Sequence, residues 1–222
     1  MSVLRDVPLI MHLGPVSPLW PLGVLIIKGM GTPARKWLFV SASLSLLADS
    51  VSLALALNGV NNHWVSYLLT PLFGAAILVT LSYWHQSRSS RYSIRIAAAV
   101  LVGIAGILTL TLEDLTTFSN YASPLRSLLI LGVSAWTLLD NWRSSHRVST
   151  WWREECFWVV IGFALYSAVS ASISPLSALL TKYDVSMMFL LFQVKSVLMA
   201  ISFILISVGI LWRTPASSGL SS

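Results

Sequence analysis

Three ionisable residues, Asp49, Arg126 and Lys195, lie within long apolar stretches of the sequence. Each stands about eight or nine residues from the predicted outer end of its stretch, which is roughly 12–14 Å along an α-helix. A charge at the centre of a bilayer costs about 2.5–3.5 kcal/mol on insertion scales, so such residues usually face the interior of a helix bundle and pair there. Because their depths match, these side chains predict one polar cluster inside a membrane protein.

Small and polar side chains accompany the three charges at helical spacing. Ser41, Ser45 and Ser52 share one helix face with Asp49. Two further stripes of this kind are Ser66, Thr70 and Gly74 on one segment and Ser167, Ser170 and Ser174 on another. Polar residues also precede Arg126 and Lys195 along the chain. The predicted ligand-binding residues are therefore Asp49, Arg126, Lys195, Asn120, Tyr121 and Gln193.

The charge balance of this cluster leaves three interpretations open. One acid meets two bases, and a buried charge without a partner is costly. A pocket open to the outside, in which Asp49 orients Arg126 and Lys195 to bind a small anion, would resolve the excess. The alternatives are a structural polar knot that fixes helix packing, and a cation on the lipid face that reaches toward the headgroups.

The elements that position these residues are apolar helices. Of 222 residues, 56% are hydrophobic and 10% are charged, whereas a soluble domain carries about 25% charged residues. A helix needs about 20 residues to cross the hydrocarbon core. Seven stretches approach this length, at about 7–30, 37–57, 64–84, 94–112, 117–139, 156–174 and 187–212. The fold class is therefore an all-α transmembrane bundle over residues 1–213, followed by a disordered cytoplasmic tail over 214–222.

The first stretch is the least regular, because Pro8, Pro15, Pro18 and Pro21 fall inside it. Proline removes a backbone donor and clashes with the preceding helical turn. We expect seven crossings, with six complete crossings plus a proline-broken first segment as the alternative.

Orientation follows from the alternation of basic and non-basic connections. The first, third and fifth connections carry Lys and Arg, whereas the second has neither, the fourth carries Glu113 and Asp114, and the sixth pairs Lys182 with Asp184. Basic loops stay in the cytoplasm, which places the C-terminus inside and, with seven crossings, the N-terminus outside. This pattern explains the net charge of +6 without nucleic-acid binding.

No residue pattern commits the chain to a reaction. Cys156 is the only cysteine, so no disulfide can form within the chain, and none of the four histidines stands at helical metal-ligand spacing from another. We read Glu154 and Glu155 as acids that complement a helix dipole. The sequence therefore predicts a non-enzyme without metal or cofactor.

Two resemblances bear on function. Lys195 in the last helix resembles the retinal-binding lysine of microbial rhodopsins, but the segment from Ser66 to Trp84 lacks the carboxylates of their third helix, which leaves Asp49 as counter-ion. The chain looks more like a group of uncharacterised bacterial seven-helix inner-membrane proteins, which implies a fold without an activity. That resemblance is carried by Ala48-Asp49, Gly59-Val60-Asn61-Asn62, Trp64, Tyr67, Thr70-Pro71 and Asn120-Tyr121.

The sequence favours a bacterial inner-membrane protein that binds a small anion as a sensor or carrier. The expected partners are membrane lipid, a small anionic ligand, and a protein partner or a second copy of the chain. A structural subunit of a larger membrane complex is the main alternative. A secondary transporter, which usually carries an internal repeat, and a retinal-binding protein are minor ones.

Overall fold

The computed structural model describes residues 13–112, 115, 121–144, 153–180 and 185–212. All regular secondary structure in these ranges is helical. The helices are α1 (Leu13–Val16), α2 (Leu19–Lys28), α3 (Pro33–Leu57), α4 (His63–Ser82), α5 (Arg88–Thr111), α6 (Ala122–Ser144), α7 (Glu155–Leu180) and α8 (Val185–Leu211). The predicted tail at 214–222 lies outside the described residues.

Six of these helices, α3 to α8, are long and apolar enough to cross a membrane. The prediction of an all-α, multi-pass bundle is therefore confirmed. The first stretch differs from the other six, because α1 and α2 are separated at Ser17 and Pro18 and end at Lys28. Within the described residues this first stretch, Leu13–Lys28, is a shorter apolar helical segment than α3 to α8. The described part of the chain thus contains six full-length helices and a proline-broken first segment.

Local sequence determines where the helices begin and end. Thr32 caps α3 by accepting a hydrogen bond from the Arg35 amide at 3.3 Å, and Pro33 occupies the first turn, where its missing N–H is not needed. Ser87 caps α5 in the same way through the Ser90 amide. Gly59 ends the turn after α3 with a φ of 68°, which favours glycine.

The helices pack in a chain of neighbours around one apolar core. α4 contacts α3, α5 and α6, while α7 lies between α6 and α8, and the broken first segment rests on α8 and α3. α7 and α8 approach closely because Gly162 faces α8, where an added Cβ would lie 2.7 Å from the Ser202 carbonyl oxygen. Core side chains from four helices include Ile77, Ile130, Phe163 and Ile206.

A buried ion pair joins α3, α7 and α8 at one end of the bundle. Arg35 Nε and Nη2 donate to the Glu155 carboxylate at 3.0 and 2.9 Å, and Nη2 also donates to the Ile210 carbonyl at 3.1 Å. Glu155 is only 2% exposed. Glu155 does lie in the first turn of α7, but helix-dipole complementation alone does not describe its role, because it also ties three helices together.

His85 links α4 to α6 at the same end. Its Nε2 lies 2.9 Å from Thr137 Oγ1, and its Nδ1 lies 3.1 Å from Asp140 Oδ2. The ring is fully buried beside Trp136, and this burial lowers the pKa of His85 below its usual range, against the opposing effect of Asp140. The two polar contacts fix the start of the α4–α5 connection.

Candidate binding cavity

A polar cavity of about 390 Å³ lies inside the bundle at the end where α3 finishes and α4 begins. Its walls come mainly from α4, α6 and α8, with smaller contributions from α1, α3, α5 and α7. The lining side chains are mostly small, polar or aromatic, and they include Ser52, Asn62, Ser66, Tyr67, Thr70, Ser123, Tyr166, Ser170, Phe192 and Ser196. This volume is within the range of small-molecule sites.

The cavity brings together the three charged residues singled out by the sequence. Asp49 of α3, Arg126 of α6 and Lys195 of α8 all line it. On α8 the lining residues are Phe192, Lys195, Ser196 and Met199, which recur at the i, i+3, i+4 and i+7 spacing of one helix face. Neither cation lies on a purely lipid-facing surface.

Arg126 is the most enclosed of the three charged side chains, with 5% of its surface exposed. Its stem crosses α4 at Gly74, where an added Cβ would lie 2.6 Å from Arg126 Cγ. The guanidinium carbon stands 6.0 Å from the centre of the Phe73 ring and 5.9 Å from that of Tyr166, which is cation–π range. Nη2 donates to Ser127 Oγ at 3.2 Å, whereas the buried Nε has no hydrogen-bond partner among the described residues.

Aromatic rings hold the inner wall of the cavity in place. Tyr166 packs edge-on against Phe73, with ring centres 5.4 Å apart, and against Phe203 at 6.0 Å. Its hydroxyl lies within hydrogen-bonding range of Ser170 and Arg126. The Arg126 guanidinium therefore packs against a cluster of aromatic rings that contact one another.

Asp49 faces the cavity without pairing directly with either cation. Its Oδ2 is buried and has no hydrogen-bond partner within the described ranges, and the ion pairs found there join other residues. Lys195 lies close enough to both Arg126 and Asp49 to interact with them electrostatically, and its Nζ stands 5.7 Å from the Phe192 ring centre. The cavity thus presents donors and an acceptor separately, with a formal charge of about +1.

Two other predicted ligand-binding residues, Tyr121 and Gln193, lie outside the cavity lining. Tyr121 precedes α6 and is exposed, and it does not line the cavity. Gln193 is also absent from the lining, because it points away from the face of α8 that carries Phe192 and Lys195. Asn120, Glu113 and Asp114 lie outside the described residues.

Several residues of the site were missed by sequence reasoning. Phe73 and Phe192 look like ordinary apolar positions in a span, although Phe192 stands three residues before Lys195 on the same face. Gly14 and Pro15 of the first segment also line the cavity, and an added Cβ at Gly14 would lie 3.2 Å from Ser196 Oγ. No sequence signal connected that segment to α8.

Comparison with known proteins gives no further guide to the site. No protein-family model matches the chain, and no curated protein or solved structure was found that matches it. Among the described residues, no three His, Cys, Asp or Glu side chains come together as metal ligands.

Proposed function

We propose that the chain is a bacterial inner-membrane protein that binds a small organic anion in the polar cavity, acting as a sensor or carrier. The observation that supports this proposal best is Arg126, a buried guanidinium that lines the cavity and forms no ion pair with a carboxylate in the described ranges. Arginine presents its donors in a planar fork that matches a carboxylate, and hydrogen bonds to charged groups are the stronger ones.

The charge balance supports an anionic ligand over a structural knot. A knot would satisfy its charges by direct pairing, but Asp49 forms no ion pair with Arg126 or Lys195. One added negative charge would bring the sum of the ligand, Asp49, Arg126 and Lys195 to zero. Burial without such compensation is unfavourable for the extra cation.

The expected orientation places the entrance to the cavity outside the cell. Asn62 and His63 line the cavity where the α3–α4 connection, which has no Lys or Arg, meets the start of α4. Basic residues mark the opposite end of α4 and α5, where Arg88 and Arg91 lie in the first turn of α5. The positive-inside rule then puts that end in the cytoplasm and the cavity entrance outside.

Ligand binding to purified protein tests the proposal. We would titrate sodium propionate, succinate and benzoate against the protein in detergent micelles, with sodium chloride at matched ionic strength, and follow the thermal unfolding midpoint and isothermal titration calorimetry. We expect at least one carboxylate to bind and to raise the midpoint above the chloride control. If neither these three carboxylates nor lactate binds, the proposal is wrong.

Matched substitutions assign the binding to the cavity. Lys195→Met removes a cation from the lining, whereas Lys28→Met removes an exposed one at the end of α2. Losing a hydrogen bond to a charged group costs about 1.5–3 kcal/mol, so Lys195→Met should weaken binding by roughly 10- to 150-fold. Equal affinities in the two variants would place the anion outside the cavity.

A further inference from the structure

Asp49 gives the polar cavity a second chemical requirement that a plain anion does not meet. Its Oδ2 is buried and accepts no hydrogen bond from any described group, although two cations line the same cavity. A buried carboxylate oxygen without a donor is unfavourable, because its lost hydration is not replaced. A ligand that only carried a negative charge would leave this oxygen unpaired and would add a second negative charge near it.

The Asn62 side-chain amide, which also lines the cavity, is engaged in another hydrogen bond. Asn62 Nδ2 donates to the Ser52 carbonyl oxygen at 3.0 Å, which ties the start of α4 to α3. The Asn61 side-chain oxygen accepts a hydrogen bond from the His63 amide at 2.9 Å. The turn at the end of α3 is thus held by its own hydrogen bonds, and the Asn62 amide is directed to the backbone of α3.

The cations and the acid that line the cavity belong to different helices. The cations come from α6 and α8 and the acid comes from α3, and no ion pair closes the gap between them. A ligand in the cavity therefore meets hydrogen-bond donors on α6 and α8 and an acceptor on α3. Its formal charge should be −1, because the three protein charges sum to about +1.

We propose that the ligand is a small hydroxycarboxylate, whose carboxylate is bound by Arg126 and Lys195 and whose hydroxyl donates to Asp49. A hydroxyl supplies the missing donor without adding charge. An amino group would supply a donor as well, but a zwitterion with one carboxylate has no net charge and would leave the cavity at +1. This inference rests on the proposed anion-binding function and narrows the ligand class of the same site.

Propionate and lactate provide a matched pair of probes, because they differ only by the 2-hydroxyl. We expect calorimetry to show that the wild-type protein binds lactate at least about tenfold more tightly than propionate, which is the effect of one hydrogen bond to a charged acceptor. Equal affinities would overturn the inference and leave the anion-binding function intact. Binding of no carboxylate, succinate and benzoate included, would instead refute the proposed function itself.

Substitution of Asp49 tests whether this residue accepts the hydrogen bond from the lactate hydroxyl. Asp49→Leu removes both the acceptor and the negative charge, so it should abolish the preference for lactate. Ser50→Ala, at an exposed position of α3 that does not line the cavity, serves as control and should keep the preference. A lactate preference that survives in Asp49→Leu would overturn the assignment.

A conservative variant covers the case in which Asp49→Leu does not fold. Asp49→Asn keeps the shape and one acceptor oxygen but loses the charge, so the ratio of lactate to propionate affinity should fall severalfold. An unchanged ratio in Asp49→Asn would also overturn the assignment. Both variants are read as ratios within one protein preparation, which cancels differences in the fraction of folded protein.

Discussion

Gly74 provides a sharp test of how the Arg126 guanidinium is positioned. A Cβ at Gly74 would lie 2.6 Å from Arg126 Cγ, 2.8 Å from Arg126 Cδ and 3.2 Å from Leu101 Cδ2. Carbon atoms pack best at about 3.5–4.0 Å, so Gly74→Ala requires the arginine stem to move by about 1 Å. Because Arg126 is buried between α4 and α7, that movement must displace the guanidinium or separate the helices.

The destabilisation expected for Gly74→Ala can be compared with the effect of the same substitution at a glycine that has free space around it. Overpacking a well-packed interior costs about 1–3 kcal/mol. Gly103 lies in α5 with no other atom within 4 Å of an added Cβ, so Gly103→Ala meets no clash and should gain up to about 1 kcal/mol from helix propensity. Gly74→Ala should therefore be destabilised relative to Gly103→Ala by at least about 1 kcal/mol, and it should also bind carboxylates more weakly.

A double-mutant cycle separates the arginine from the rest of the packing. Arg126→Ala removes both Cγ and Cδ, so Gly74→Ala should have almost no further effect in that background. The assay is denaturant unfolding of all four proteins in the same detergent, followed by tryptophan fluorescence. If Gly74→Ala costs nothing in the wild type, or the same in the Arg126→Ala background, our account of Gly74 is wrong.

Two further predictions concern the opposite end of the bundle. Arg35→Leu should destabilise the protein by about 3–5 kcal/mol, because it leaves the buried Glu155 carboxylate uncompensated. The double variant Arg35→Leu, Glu155→Leu should recover most of the lost stability. Equal losses of stability in the single and double variants would contradict this prediction. The folded-state pKa of His85 lies below its usual 6.5, so the unfolded chain binds more protons just below that pH and stability should fall as pH drops through 6.5. Thermal unfolding between pH 8 and 5 should therefore show a weaker pH dependence for His85→Gln than for the wild type, and identical profiles would exclude His85 as the cause.

The position of the site was largely predictable from the sequence, because burying charge in a membrane is costly. Asp49, Arg126 and Lys195 stood at one predicted depth, and the structure places all three around one cavity. Helical periodicity also placed Ser66 and Thr70 on the face of α4 that lines it. These inferences needed only the depth and the angle of a residue on its own helix.

What the sequence did not reveal was which helices are neighbours. Gln193 is close to Lys195 in sequence but lies on another face of α8, so sequence proximity was a poor guide to the lining. The pair of Arg35 and Glu155 is separated by 120 positions, and nothing in either segment points to the other. Such pairings depend on the packing of α3, α7 and α8 and cannot be read from one helix at a time.

The cost of the buried cations connects stability to ligand binding. At the mid-membrane depth predicted from the sequence, two cations would together cost about 5–7 kcal/mol on insertion scales. The contacts of Arg126 with Phe73, Tyr166 and Ser127 offset part of this cost, but the Asp49 carboxylate is not directly paired with either cation. An anion in the cavity would supply the missing counter-charge, so it should stabilise the fold as well as occupy the site. A ligand at 100 times its Kd adds about 2.7 kcal/mol to stability, which makes the thermal unfolding midpoint a direct reporter of the proposed function.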